Sequence, residues 1–242
     1  MRMKFSGIVV ALLILTGQIV SAGPLLENSG VALSGTVDYY SSYLWRGQAL
    51  DKDPVVQPGF TVGYMGFSAG FWSSMGVSDK DSAGGSNEVD MTVSYGRSFG
   101  NIGLSVGHIS YEFPGTAYAG TKEVFAGASV NGLPFSLGVT YYSDYDSADG
   151  VSGSFSLLSL GKEVGKLSGY PVNMSLSYGI YGDYGAFKNG SVATVGFGSS
   201  MALTEKLSLT PSVSYVSTSG DMADEAIGNQ KGGIYGGFSL GF

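Results

Sequence analysis

The chain has 242 residues, 40 of them glycine and none cysteine; 13% are charged, 13% are aromatic, and the net charge is −7. Without cysteine there is no thiol catalysis, zinc–thiolate site or disulfide framework, and the acidic balance argues against a nucleic-acid partner. Aromatic richness with a small net charge argues against a disordered chain, and the glycines lack the three-residue period of collagen.

The first 22 residues read as a signal peptide. Arg2 and Lys4 form a positive n-region, Ile8 to Leu15 an apolar h-region, and Val20-Ser21-Ala22 a small-residue cleavage site. Gly17 and Gln18 interrupt the apolar run well short of the ~20 residues of a spanning helix. Residues 23–30 form an N-terminal periplasmic segment, and 31–242 a transmembrane barrel. From there on the pattern alternates with period two, in runs of about ten residues separated by turn residues. In the first run, 31–46, Val31, Leu33, Val37, Tyr39, Tyr43 and Trp45 share one face, with Ser34, Thr36, Asp38, Ser42 and Arg46 on the other. Further runs follow at 56–64, 67–77, 88–99, 102–112, 121–130, 133–143, 152–161, 170–181, 191–203, 207–217 and 232–242, which makes twelve. The run at 102–112 changes face near His108, suggesting a bulge or the exit from the membrane, and 152–161 is apolar on both sides.

The connections alternate in length. Met65-Gly66, Gly100-Asn101 and Asn131-Gly132 are tight turns; Lys162–Gly169 and Ala202–Lys206 are somewhat longer. Between them lie polar loops at 46–54, 78–87, 113–120, 143–151, 182–190 and 218–231. Short turns at one end and longer loops at the other predict an all-β fold: a single antiparallel transmembrane barrel of about twelve strands, of bacterial outer-membrane type. The last strand ends on alternating Phe238, Leu240 and Phe242, an ending typical of outer-membrane proteins and read by their assembly machinery. A soluble sandwich would carry many charges on its polar face; here that face is Ser, Thr and Gly. Glycines such as Gly59, Gly70, Gly107, Gly138 and Gly179 fall on the inner side, which suggests an open lumen. No loop is long enough to suggest a deep constriction loop.

Charges expected to line the pore or its constriction are Asp38, Arg46, Glu88, Asp90, Glu112 and Glu123. Arg46, at the outer end of the first strand, is expected to pair with Glu88 or Asp90, either biasing permeation or tying loop ends together. Tyr39, Tyr43, Trp45 and Phe71 are candidates for aromatic girdles. Acidic loop clusters (Asp51 and Asp53; Asp79 and Asp81; Asp144, Asp146 and Asp149; Asp221, Asp224 and Glu225) lack a full calcium-loop pattern and read as solvated surface. No metal or other cofactor is expected. His108, beside Ser110, is the one histidine and the one candidate for a general base.

Ser42-Tyr43-Leu44-Trp45-Arg46-Gly47 resembles the S-x-Y-x-x-R-G motif of the TorF family of outer-membrane porins. The resemblance continues through Pro58-Gly59-Phe60, Gly66-Phe67-Ser68-Ala69-Gly70-Phe71-Trp72-Ser73-Ser74 and Asn87-Glu88-Val89-Asp90. It extends to Tyr111-Glu112-Phe113-Pro114-Gly115, where Phe113 replaces the usual tyrosine. It implies an outer-membrane barrel with a pore and supplies neither a substrate nor catalytic residues. The expected function is passive diffusion of small solutes or ions, with outer-membrane lipids and the assembly machinery as partners. The alternatives are a structural or adhesive barrel without a conducting pore, and a lipid-modifying or hydrolytic enzyme.

Overall fold

The computed structural model describes residues 30–78, 87–146, 152–184, 188–224 and 232–242. The expected signal peptide lies outside them, as do Asp79, Asp81, Asp149 and Glu225. The strands are β1 (Val31–Tyr40), β2 (Tyr43–Trp45), β3 (Gln48–Asp51), β4 (Val55–Tyr64), β5 (Phe67–Gly76), β6 (Glu88–Phe99), β7 (Ile102–Glu112) and β8 (Thr121–Val130). They continue with β9 (Ser136–Asp146), β10 (Ser154–Leu167), β11 (Tyr170–Gly182), β12 (Ser191–Gly198), β13 (Met201–Ala202), β14 (Ser208–Ser219) and β15 (Gly233–Gly241). Every neighbouring pair from β4 to β12 is antiparallel. β12 pairs with β14, β14 with β15, β15 with β1 and β1 with β4, so twelve strands close into a barrel with no free edge. Closure matters because an unpaired edge in lipid would strand backbone donors and acceptors.

The expected strands are recovered, with three changes at their ends. β1 stops at Tyr40 instead of running to 46, because Ser41 and Ser42 bend the chain inward. The stretch expected as a loop at 162–169 is mostly strand: β10 continues through a bulge at Glu163/Gly165 to a two-residue turn in which Ser168 and Gly169 both have positive φ. The turn expected at Asn131-Gly132 takes the five residues between Val130 and Ser136.

The outer face explains the aliphatic and aromatic alternation. Phe60, Phe67, Val93, Ile102, Val106, Leu158, Tyr215 and Ile234 stand on it largely uncovered, Ile234 at 75%. An apolar belt of this extent is incompatible with water on all sides and matches a lipid-facing band. No helix among the described residues is long and apolar enough to cross a membrane; the strands cross instead. Tyr39 stacks on Phe238 at 5.5 Å and Phe60 on Phe71 at 5.5 Å, so Tyr39 and Phe71 do face outward. Phe242 closes the last strand with its ring across the backbone of Gly35 and its N–H donated to the Gly35 carbonyl at 3.0 Å.

No bulge interrupts β7. Its register with β6 runs unbroken from Val89↔Glu112 to Phe99↔Ile102. The apparent change of face arises because the inner row changes chemistry, from Gly103, Ser105 and Gly107 to buried Ile109 and Tyr111. β10 looked two-sided for the same reason: Phe155 and Leu157 point inward into a packed cluster while Leu158 points outward.

Candidate functional site

The lumen has two zones. At the end carrying the long loops it is filled; towards the end carrying the short turns it is hollow. The filling is the segment between β1 and β4, where β2 and β3 pair as a small hairpin that folds into the barrel. Three apolar residues (Tyr43, Leu44, Trp45) leave β1 just after a bend, then Arg46 and Gly47 turn the chain with φ of +50° and +88°. Two successive positive φ values are the signature of the type I′ hairpin turn. Gly47 is required twice over: a side chain there would be strained by its φ and would also meet Val192 Cγ2 at 2.8 Å. Tyr43 and Trp45 are therefore not girdle residues. Tyr43 is buried and packs on Trp72 at 5.4 Å, and Trp45 packs on Tyr111 at 6.0 Å and Tyr184 at 5.9 Å.

Arg46 sits at the hairpin tip, 1% exposed, and its partner is Glu123 of β8 instead of Glu88 or Asp90. Nη1 donates to Oε1 and Nη2 to Oε2, both at 2.7 Å. Tyr111 donates its hydroxyl to Glu123 Oε2 at 2.8 Å, and Tyr181 donates to the Arg46 carbonyl at 3.0 Å. Gln48 of β3 donates to the Tyr181 hydroxyl at 3.1 Å. The guanidinium carbon lies 4.4, 4.3 and 4.7 Å from the ring centres of Trp45, Tyr142 and Phe155. A planar, weakly hydrated cation is suited to such a cage, which a lysine would not fill. Burial by itself would lower the Arg46 pKa, but Tyr111 and Glu123 raise it above its ordinary value, so the tip stays charged. Burial, then Glu88 and Asp90, push the Tyr43 phenol well above its usual range.

Around the hairpin, Ile109, Tyr142, Phe155, Leu157, Tyr181, Val192, Val216 and Met222 form one apolar cluster. Met222 is carried by a short 3-10 turn, Gly220–Ala223. The ring of Phe155 lies across Gly179 of the neighbouring strand, a close approach that a side chain at 179 would prevent. The expectation of a lumen open along its length thus fails for this half. Below the hairpin, glycine and hydroxyl residues do leave a cavity of about 640 Å³, roofed by Ser42, Leu44 and Gly47.

The remaining expected site residues divide. Asp38 is buried and inward, accepting the Thr36 hydroxyl at 3.4 Å. Glu88 and Asp90 share the inner row of β6, with Glu88 in hydrogen-bonding contact with Tyr43 and Asp90. Glu112 is corrected: it pairs with Val89 on the outward row and is exposed at the rim, because β7 keeps its register. His108 also faces outward, its Nε2 2.7 Å from the Tyr145 hydroxyl. No group of three potential metal ligands occurs among the described residues. Of the acidic loop residues that are described, Asp144 is corrected from solvated surface: it lies buried on the inner row of β9 and accepts the Tyr184 hydroxyl at 3.3 Å, while Asp51 accepts the Asp53 N–H, Asp146 pairs with Lys122, and Asp221 accepts the Asn189 N–H.

A family model described as a bacterial protein of unknown function (Gcw_chp) matches residues 26–156, more than half of the chain and a span that holds both Arg46 and Glu123. The chain belongs to the Gcw_chp family. No curated protein sequence matches this Gcw_chp member. Among solved structures it is similar to the NanC porin in a rhombohedral crystal form, with 11% identity, a TM-score of 0.55, and coverage of 87% of this chain and 98% of that one. A second similar structure, from work on in-meso crystallization of membrane proteins, has 12% identity, a TM-score of 0.50, and coverage of 86% and 83%. At these identities the likeness establishes the outer-membrane barrel fold of the Gcw_chp chain and not its cargo.

Proposed function

We propose that the protein is an outer-membrane channel for small solutes or ions, narrowed from the long-loop end by the β2–β3 hairpin. The observation that carries this reading is a closed twelve-stranded barrel holding a cavity of about 640 Å³ beneath a folded-in hairpin. Twelve strands enclose more than the eight whose interior side chains fill. That the structurally similar NanC is a porin supports the same reading, as does the resemblance of the sequence motifs to those of the TorF porins. On this reading residues 1–22 direct export, the strand ending in Phe238, Leu240 and Phe242 engages the assembly machinery, and the long loops face outward from the cell. Asp38, Arg46, Glu88, Asp90 and Glu123 then act at the constriction.

A barrel without a conducting pore is the second reading, favoured by one observation: the packed cluster of rings around Arg46. The test is conductance of the refolded full chain in planar bilayers. Stepwise currents are expected for the channel; silence at every tested voltage, with the barrel demonstrably folded, selects the second reading.

A further inference from the structure

The cavity under the hairpin has a chemistry more specific than a water-filled pore requires. Its wall presents serine and threonine hydroxyls from β8 round to β15. Three of them, from separate segments, are buried and have no hydrogen-bond partner among the described residues: Ser42 Oγ, Thr194 Oγ1 and Thr210 Oγ1. A buried hydroxyl left without a partner is costly, so three of them at the wall of one cavity, each a side-chain rotation away from its space, favour a ligand with polar groups to offer. Tyr40, Leu157 and Tyr235 add apolar patches to the same wall.

Two facts choose the ligand's charge. Among the cavity's lining residues Lys162 is the one cation, and it stands beside Glu163. Asp38, directly across the register from the lining residue Ser239, adds negative charge nearby. Among the described lining residues an anion would find Lys162 as its one counter-charge, set beside Glu163, and a metal-sized cation would find Glu163 as the one carboxylate. Hydroxyls that both donate and accept, set against apolar faces, match a neutral polyhydroxylated molecule, whose hydroxyls and C–H faces need those two surfaces together. A volume of about 640 Å³ lies inside the ~300–1,000 Å³ range of small-molecule sites.

The structure assigns the cavity beneath the β2–β3 hairpin as a binding site for a neutral sugar or short oligosaccharide. It rests on the reading that solutes enter this barrel. The experiment is calorimetric titration of the refolded full chain in micelles with glucose, maltose and raffinose, and with glucuronate as the anionic comparison. Saturable binding of at least one neutral sugar is expected, with glucuronate at least about tenfold weaker. Thr194→Val and Thr210→Val should each weaken neutral-sugar binding roughly threefold to tenfold, the loss of one hydrogen bond. Folding of each variant is verified by its heat-modifiable gel mobility, and the wild-type comparison of neutral with anionic sugars needs no variant. The site is overturned if no neutral sugar binds saturably, if glucuronate binds as tightly, or if the folded variant carrying both Thr194→Val and Thr210→Val binds like wild type. Ion conductance without sugar binding overturns the site and leaves the channel; sugar binding without conductance leaves the site and overturns the channel.

Discussion

Arg46 and Glu123 are 77 residues apart in sequence and meet through two 2.7 Å hydrogen bonds, both side chains 1% exposed. Breaking a buried pair from one side leaves an uncompensated charge and costs about 3–5 kcal/mol, whereas replacing both partners with apolar groups is often close to neutral. Glu123→Gln should therefore lower stability by roughly that amount, and the Arg46→Met/Glu123→Leu double variant should recover most of it. Urea unfolding in lipid vesicles measures both; equal losses in single and double variants would contradict a coupled pair. Because the pair is shielded from solvent, its coupling should change little between ~0.1 M and ~1 M salt, unlike that of surface charges. Gly47→Ala places a side chain at φ +88° and against Val192, a strain of about 1–3 kcal/mol. Its expected effect is local: trypsin, which cannot reach Arg46 in the wild type, should cut after it in this variant while the barrel stays intact. Arg46 was legible as a notable charge, but its partner was not. Placing Arg46 at the outer end of the first strand pointed to Glu88 and Asp90 on a nearby strand, and only the folded hairpin carries the tip across to β8.

At the scale of the element, the hairpin is an insertion between two strands that are already in register. Tyr40 pairs directly with Val55, so residues 41–54 can be replaced by a two-residue Asn-Gly turn without shifting β1 against β4. The shortened protein should still fold into a heat-modifiable barrel, and its single-channel conductance should rise several-fold over the wild type. Unchanged conductance would mean that the hairpin does not set the constriction. The hairpin was written in the sequence as Tyr43-Leu44-Trp45-Arg46-Gly47, but period two cannot say which face is which. An alternation that continues past a bend looks like a longer strand, so Tyr43 and Trp45 read as lipid-facing. β7 and β10 misled in the same way: Ile109, Tyr111, Phe155 and Leu157 are apolar because they face a protein-filled lumen, not lipid. The signal that could have found the hairpin is Gly47, a residue free to take positive φ at the end of a short apolar run; Arg46, a residue that disfavours positive φ, gave no such signal.

For the whole molecule, the charge inside the barrel is mainly acidic. Asp38, Glu88, Asp90, Glu123 and Asp144 occupy inward rows, against the single buried cation Arg46 among the described residues. A conducting form should accordingly favour cations, with a reversal potential under a salt gradient on the cation side. The preference should fade as salt is raised and the Debye length falls from ~10 Å at 0.1 M towards ~3 Å at 1 M. Anion preference at low salt would contradict this charge assignment.

The sequence by itself determined the barrel, its strand number, the alternation of short turns with long loops and the lipid-facing belt. These follow from local chemistry, because backbone pairing and the lipid require every strand to show the same period. The short-turn half of the lumen was also readable, as the place where glycine and hydroxyl residues leave room. Only the tertiary structure decided that the other half is filled, that Arg46 is matched by Glu123, and that Glu112 stays outside. Those outcomes depend on which distant side chains share the interior once the sheet has closed, and a period of two carries no record of that.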